Sequence, residues 1–542
     1  MKPSTQASRL LQGAFILSAA AIISKLIGTL QKIPLQNLGG DAVFGIYNTV
    51  YPLYTLFVTV AMLGLPVAVS KFVAEAAAGE RKEAGQQILL KSAVMTGLSG
   101  VIMGIVTYTG APLIAEWIGN SHIIAALRTA AWGLVFVPVM SALRGYFQGL
   151  HNMVPTAMSQ IVEQSVRVAV MIVLLLHLTS REAGAEAIAA GALLGSAGGG
   201  IAGLFMMLLY WRRHHVRMEG SAKGRVGRDL LSQVVKTRRL LSYGVPVMLG
   251  ALAVPLIGLV DVFTLPRLLA AGGNEREAMV QFGVYNRGLP LVQLVTMLAT
   301  SLSVVFIPAL AEANYRGDSK LIEIRCRLSL RWFWLLGLAA SVGLAVLAEP
   351  INVALYGNAA GTGAMAWLAF TAAGGTVSII SAALLQGLGF VRAPALHLLA
   401  AALLKAALNL LLVPQQGITG AAIAGVAAHL FAAALSVLLL RRKARLRLRP
   451  ADVLAKPALL VAGLGLAAAA ASWGADALLA AAGLAGGRAA SLAQSLLGVT
   501  AGCAVFAAGA VALRLLSEDE LRQLPGIGPS LAKLMKKLRL FP

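Results

Sequence analysis

Six basic side chains stand inside long apolar runs of this 542-residue chain: Lys25, Lys32, Arg128, Arg167, Arg287 and Lys405. The clear acids in such runs are Glu163 and Asp261. A charge at mid-bilayer costs about 2.5–3.5 kcal/mol on the insertion scale, so it faces a cavity or a partner. Lys25 and Lys32 are seven apart, which puts them on one helical stripe with Gly28 and Thr29 between them. Arg287 lies about five residues, ~8 Å, inside its run, with Asp261 at similar depth on the run before. A cationic set with one carboxylate suits an anionic head group: arginine offers phosphate a bidentate contact and lysine a point charge. Asn48 and Asn286 are polar enough to join that set. In the plainer alternative Lys32 snorkels to the interface and Arg287 pairs with Asp261 for structure alone.

The stretch SQIVEQSVRV sets Glu163 and Arg167 at i and i+4, with Gln164 beside them. Together with Arg144 they form either a polar cavity face or gate, or a mutually neutralised pair. Arg128 and Lys405 are single and are not expected to touch a ligand. Chemistry of other kinds finds no residues. The seven histidines show no HExxH spacing, there is no GxxxxGK[ST] phosphate loop, and Cys326 and Cys503 make no metal or redox spacing. The chain therefore reads as no enzyme and as needing no cofactor or metal; membrane potential or a monovalent cation is left as the source of coupling. GSAGGGIAG (Gly195 to Gly203) sits inside an apolar run with no strand before it, which favours close helix packing over dinucleotide binding.

These side chains need helices in lipid to hold them. The composition is 58% hydrophobic and 12% charged, where a soluble domain carries roughly 25% charged residues. Apolar runs of about 20 residues recur throughout, each able to cross ~30 Å of hydrocarbon. The first continues through Lys25 to Ile33, too long for a signal-peptide core. Hydropathy gives fourteen spans. Thirty-five of the 45 Lys and Arg fall at the N-terminus, in every second loop and in the tail. Four (Arg181, Arg267, Arg276 and Arg488) fall in the other loops. That asymmetry predicts cytoplasmic termini and explains most of the +23 net charge without nucleic acid.

Two segments repeat: FGIYNTVYPLYTL from Phe44 and FGVYNRGLPLVQL from Phe282, 238 positions apart and identical at seven of thirteen positions. FQGLHNMVP (Phe147 to Pro155) is echoed by LQGLGFVRAP (Leu385 to Pro394). The repeat predicts two parallel six-span lobes, 1–211 and 240–440, joined by a basic cytoplasmic linker, 212–239. A site between two such lobes is the two-lobed transporter arrangement. Spans 13 and 14 (441–516) are an appendix. Pro52 and Pro290 each remove a backbone donor and are expected to kink their helices. The tail, 517–542, contains LPGIGPSLAKLMKKLRLF. It looks like a helix–hairpin–helix, but an amphipathic helix on anionic lipid fits its lysines better.

RGYFQG (Arg144 to Gly149), VPTAMSQIVEQSVRV (Val154 to Val168) and the FGxYN repeat resemble the SpoVB/MurJ-type polysaccharide exporters of the MOP (multidrug/oligosaccharidyl-lipid/polysaccharide) flippase superfamily. The resemblance covers nearly the whole chain. It implies an all-α, MATE-like fold of fourteen transmembrane helices in the bacterial plasma membrane. It also implies a monomeric transport unit that carries lipid II, or a related lipid-linked oligosaccharide, from inner to outer leaflet by alternating access. Lipid II flippases of this kind read Ser-Arg-x-x-Gly-x-x-Arg-Asp in span 1; here Ser24, Lys25 and Gly28 match, and the second base, Lys32, is moved by one position. Arg287 matches the span 8 cavity arginine, while the span 2 arginine has no counterpart near Pro52. Two rivals remain: a cation-coupled multidrug exporter of MATE type, which calls for an acidic cavity, and a glycan polymerase, which calls for a carboxylate in a sizeable outer loop.

Overall fold

The computed structural model describes residues 3–79, 82–219, 237–252, 255–446, 451–484, 486–513, 515 and 533. Most of the basic linker and, apart from Lys533, the whole amphipathic tail lie outside the described residues. Among the described residues there are helices and no strand. They divide into two compact units, 1–283 and 284–542.

The first unit contains α1 (Pro3–Leu30), α2 (Lys32–Ala61), α3 (Leu65–Ala78), α4 (Lys82–Ile118), α5 (Ile124–Gly149), α6 (Val154–Ser180), α7 (Ala185–Glu219), α8 (Thr237–Leu252), α9 (Leu256–Leu269) and most of α10 (Glu275–Asn286). The second contains α11 (Leu289–Tyr315), α12 (Ser319–Val346), α13 (Ala348–Tyr356), α14 (Thr362–Ala369), α15 (Thr371–Gly387), α16 (Arg392–Lys443), α17 (Lys456–Ala481) and α18 (Gly487–Ala512). Residues 237–283, which the repeat groups with the second lobe, thus pack in the first compact unit.

Ten helices among the described residues are long and apolar enough to cross a bilayer, or eleven if the bent pair α8 and α9 is one span. Two of the ten are continuous runs, Phe15–Ala78 with 64 residues and Arg392–Lys443 with 52. At ~1.5 Å per residue those runs are ~96 and ~78 Å long, well beyond ~30 Å of hydrocarbon. The backbone leaves helical angles inside them at Gly40 (φ 79°, ψ 174°) and Gly417 (φ 56°, ψ −136°). Positive φ at both positions is the reason glycine stands there. Counting fourteen spans requires dividing both runs near these points; the structure returns ten or eleven by length and hydropathy.

The repeated FG pair has a packing reason within the first unit. A Cβ at Gly45 would fall on the carbonyl oxygen of Met279, and one at Gly283 on that of Asp41. Both pairs, Gly45 with Gly283 and Asp41 with Met279, differ by the repeat spacing. The contact is therefore reciprocal, as a pseudo-two-fold axis demands: α2 and α10 cross backbone to backbone at their glycines. Phe44, Tyr47 and Asn48 are buried around the first copy, as are Phe282, Tyr285 and Asn286 around the second.

The glycine-rich run of α7 does what close packing predicts. Cβ atoms at Gly195, Gly199 and Gly203 would meet Arg167, Glu163 and Ser159 of α6, four residues apart on each helix. Small residues there let the polar stripe of α6 lie flush on its neighbour. In the second unit, Ser341 of α12 donates to Ala369 O (2.9 Å), and Thr376 of α15 donates to Phe333 O (3.1 Å). The α17–α18 pair belongs to this unit, with Gly498 packed on Leu347.

Candidate functional site

The α6 stripe gathers an intramembrane polar network in the first unit. Glu163 accepts from Arg167 Nη2 at 2.6 Å through one carboxylate oxygen and from Arg144 Nη2 at 3.0 Å through the other. Arg144 Nε also donates to Ser159 Oγ (2.8 Å), and Arg167 Nη1 donates to Tyr51 OH (3.1 Å). The carboxylate is 12% exposed, and the Arg144 and Arg167 side chains 16% and 9%. Two guanidinium groups thus share one carboxylate and leave a net positive charge. Among the described residues the buried Arg167 Nε finds no acceptor. The expected i,i+4 pair is present, Arg144 joins it, and Tyr51 and Ser159, which sequence reasoning did not assign, complete it.

Gln164, one position on, turns elsewhere: its amide lies where a Cβ on Gly28 would stand, 2.9 Å away. It therefore packs on α1 between the two lysines of that stripe. Lys25 is exposed, and its carbonyl accepts from Thr29 Oγ1 (2.8 Å). Lys32, at the start of α2, is only 7% exposed, and among the described residues no hydrogen bond or ion pair reaches its ammonium. Neighbouring Gln31 donates from Nε2 to Tyr47 OH (3.2 Å), and Tyr47 stacks on Tyr51 with ring centroids 5.4 Å apart. Asn48 turns back onto its own helix and donates to Phe44 O (2.8 Å). Asp261 is buried in α9 at 5% exposure. Arg128 lies over the Tyr108 ring.

In the second unit Arg287 is wholly buried. Its Nη1 donates to Asn358 Oδ1 (2.8 Å) and Asn352 Oδ1 (3.3 Å), its guanidinium lies 5.3 Å from the centre of the Tyr356 ring, and Tyr356 OH donates to Arg287 O (2.8 Å). Within the second unit the guanidinium thus reaches the turn after α13. Asn286 beside it is buried as well. Pro52 lies within α2, whose non-helical residue is Gly40. Pro290 instead occupies the first turn of α11, just after the break at Arg287 and Gly288, where its missing donor is one the helix start leaves unused. Lys405, at the position equivalent to Arg167 in the repeat, is 3% exposed beside Asn409. Among the described residues no cluster of three or more His, Cys, Asp or Glu is placed to hold a metal ion.

With this geometry in place, comparison with known proteins is informative. Residues 10–314 match the family model described as "Polysaccharide biosynthesis protein". The uncharacterized membrane protein YabM of Bacillus subtilis is 32% identical over 527 residues, 97% of this chain and 96% of that protein. Lipid II flippase MurJ of the same organism is 26% identical over 457 residues, 81% of this chain and 83% of that one. Among solved structures, a lipid II flippase MurJ in an inward closed conformation superposes with a TM-score of 0.65 at 13% identity, covering 92% of this chain and 99% of that one. At that identity the superposition establishes the fold, the MOP-type helical architecture the motifs predict. The chain belongs to the polysaccharide biosynthesis protein family, as a MurJ/SpoVB-type member of the MOP superfamily.

Proposed function

We propose that this protein is a flippase that carries a pyrophosphate-linked lipid oligosaccharide, lipid II or a close relative, from the inner to the outer leaflet of the bacterial plasma membrane. Both termini then lie on the cytoplasmic side, and the carrier works without covalent chemistry. The family supports the reading, and so does a full-length-scale relative named a lipid II flippase. The observation that carries it is Lys32, a residue only 7% exposed whose ammonium has no acceptor among the described residues. A buried unpaired charge is costly, and an anionic head group entering beside it offsets that cost. Lys25 on the same stripe adds a second point charge. The excess positive charge of Arg144, Glu163 and Arg167 supports the same sign of ligand and disfavours a pump for cationic drugs. An inside-negative potential assists the step, since each negative charge carried outward gains ~2.3 kcal/mol per 100 mV.

Lys32→Ala and Lys25→Ala should abolish growth of flippase-depleted cells at normal membrane levels of the variant. Leaflet-resolved labelling should show lipid II retained inside. Normal growth of both variants would rule out this role for the stripe.

A further inference from the structure

Residues 119–122 join α4 to α5, and each of the four reaches other parts of the first unit or braces the loop. Gly119 (φ 79°) sits against Arg267 at the end of α9, whose Cβ would be 3.1 Å from a side chain placed there. Asn120, 1% exposed, donates from Nδ2 to Glu275 O at 2.8 Å and accepts from His122 N at 3.1 Å. Ser121 donates twice to Glu275 Oε2, from its N–H and its hydroxyl, each at 2.7 Å. His122 Nδ1 lies 2.6 Å from Glu186 Oε1 in the first turn of α7. One short loop thus holds the end of α9, the start of α10 and the start of α7. Adjoining it is a cavity of about 400 Å³ lined by Ala42, Ile46, Ala125 and Met279, with His122 and Arg276 also in its wall. Gly45 and Gly283 cross close by.

All three joined loops are among those poor in Lys and Arg. The α2–α10 crossing meets backbone to backbone at its glycines, with the Thr49 hydroxyl 3.8 Å from the Met279 sulfur beside it. The grip on Glu275 is largely solvent-facing, so water can take over its donors. We propose that loop 119–122 is a latch that keeps this basic-poor end of the first unit closed, with Glu275 as the side chain it grips. Its purpose rests on the transport reading above: a carrier that releases its load at this end has to part α10 from α2 and from this loop.

The test replaces Cys326 and Cys503 by Ser and places a single reporter, Ile46→Cys, on the cavity wall, where Ile46 is 2% exposed. A membrane-impermeant maleimide is applied from the basic-poor side. Glu275→Ala and Asn120→Ala should each speed labelling roughly tenfold, the order expected when a charge-assisted or buried hydrogen bond is lost. Glu275→Gln, which keeps an acceptor oxygen and the fold, should fall between. In a second protein, Ser121→Cys with Glu275→Cys, bridged by a bifunctional methanethiosulfonate, should stop translocation of a fluorescent lipid II analogue in proteoliposomes, and reduction should restore it. Unchanged labelling in the variants, or full translocation by the bridged protein, would overturn the latch. Faster labelling in a protein that carries no lipid II analogue even unbridged would leave the latch standing and defeat only the substrate reading.

Discussion

Glu163→Gln should be the most damaging single change in the α6 network, and the structure says why. The wild-type group holds two positive charges and one negative, with contacts of 2.6 and 3.0 Å at side-chain exposures of 9–16%. Neutralising Glu163 leaves Arg144 and Arg167 facing each other in a low-dielectric setting. Breaking a buried pair by removing one partner costs about 3–5 kcal/mol. Arg144→Gln, by contrast, leaves the shorter Arg167–Glu163 pair intact with no net charge, and should cost about 1 kcal/mol, the worth of an ordinary hydrogen bond. The double variant Arg144→Gln/Glu163→Gln holds one buried cation rather than two, so it should be more stable than Glu163→Gln alone despite carrying an extra substitution. Unfolding of the purified proteins in detergent, run as a double-mutant cycle, measures all three. Glu163→Gln matching wild type, or a double variant with the sum of the two losses, would show that the carboxylate does not neutralise the pair.

Three further outcomes follow from the geometry. Gly45→Ala and Gly283→Ala should each destabilise by about 1–3 kcal/mol, because the new methyl group meets backbone that cannot move aside, and their effects should not add, since both wedge one crossing; thermal melts of the single and double variants read this. Arg287→Lys keeps the charge but loses the planar fork that reaches Asn352 and Asn358, so heat stability should drop by about 2–4 kcal/mol while transport per folded molecule stays unchanged. The Ser121 N–H, then its hydroxyl and the neighbouring His122, hold the Glu275 carboxyl below the usual carboxylate range. A depressed value in the closed form means the grip is complete above the ordinary glutamate pKa of ~4.3 and is lost as pH falls through the lower value. Labelling of Ile46→Cys, taken relative to an exposed reference cysteine so that the loss of thiolate at low pH cancels, should therefore stay flat down to the ordinary glutamate pKa and rise only below it, and Glu275→Gln should show no such rise.

The readable part of this molecule was whatever periodicity and charge sign determine. Hydropathy gives helices in lipid, the i,i+4 spacing of Glu163 and Arg167 gives their pairing, and the glycines of α7 give close packing. What stayed hidden depends on partners distant in sequence. Arg287 reads as a cavity base or a partner of Asp261, and no sequence pattern points to the amides 65 and 71 positions away that accept from it. Tyr51 carries no assignment from the sequence, yet it accepts from Arg167 across 116 positions. Fourteen spans by hydropathy and ten or eleven by helix length differ in part for a local reason: two of the apolar helical runs are long enough to be divided, and Gly40 and Gly417, with positive φ, stand where the division falls.

The repeat itself shows the difference between a conserved pattern and a conserved role. Gly45 and Gly283 do the same job, because a crossing related by a two-fold axis needs the absent side chain from both partners at once. Pro52 and Pro290, also identical, do not. The first sits within α2, well after the non-helical Gly40, whereas the second opens α11 after the chain has broken at Arg287 and Gly288. The cause lies in the two residues where the copies part: Thr49 and Val50 continue the helix, with Thr49 Oγ1 bonded to Gly45 O at 2.9 Å, while Arg287 and Gly288 leave it. Arg287 directs its guanidinium into the turn after α13, and its helical path ends there. The helical path is thus interrupted at Gly40, just before the crossing, in one copy and at Arg287 and Gly288, just after it, in the other. On the α2 side, Tyr51 accepts from Arg167 and so joins that helix to the charged network of α6.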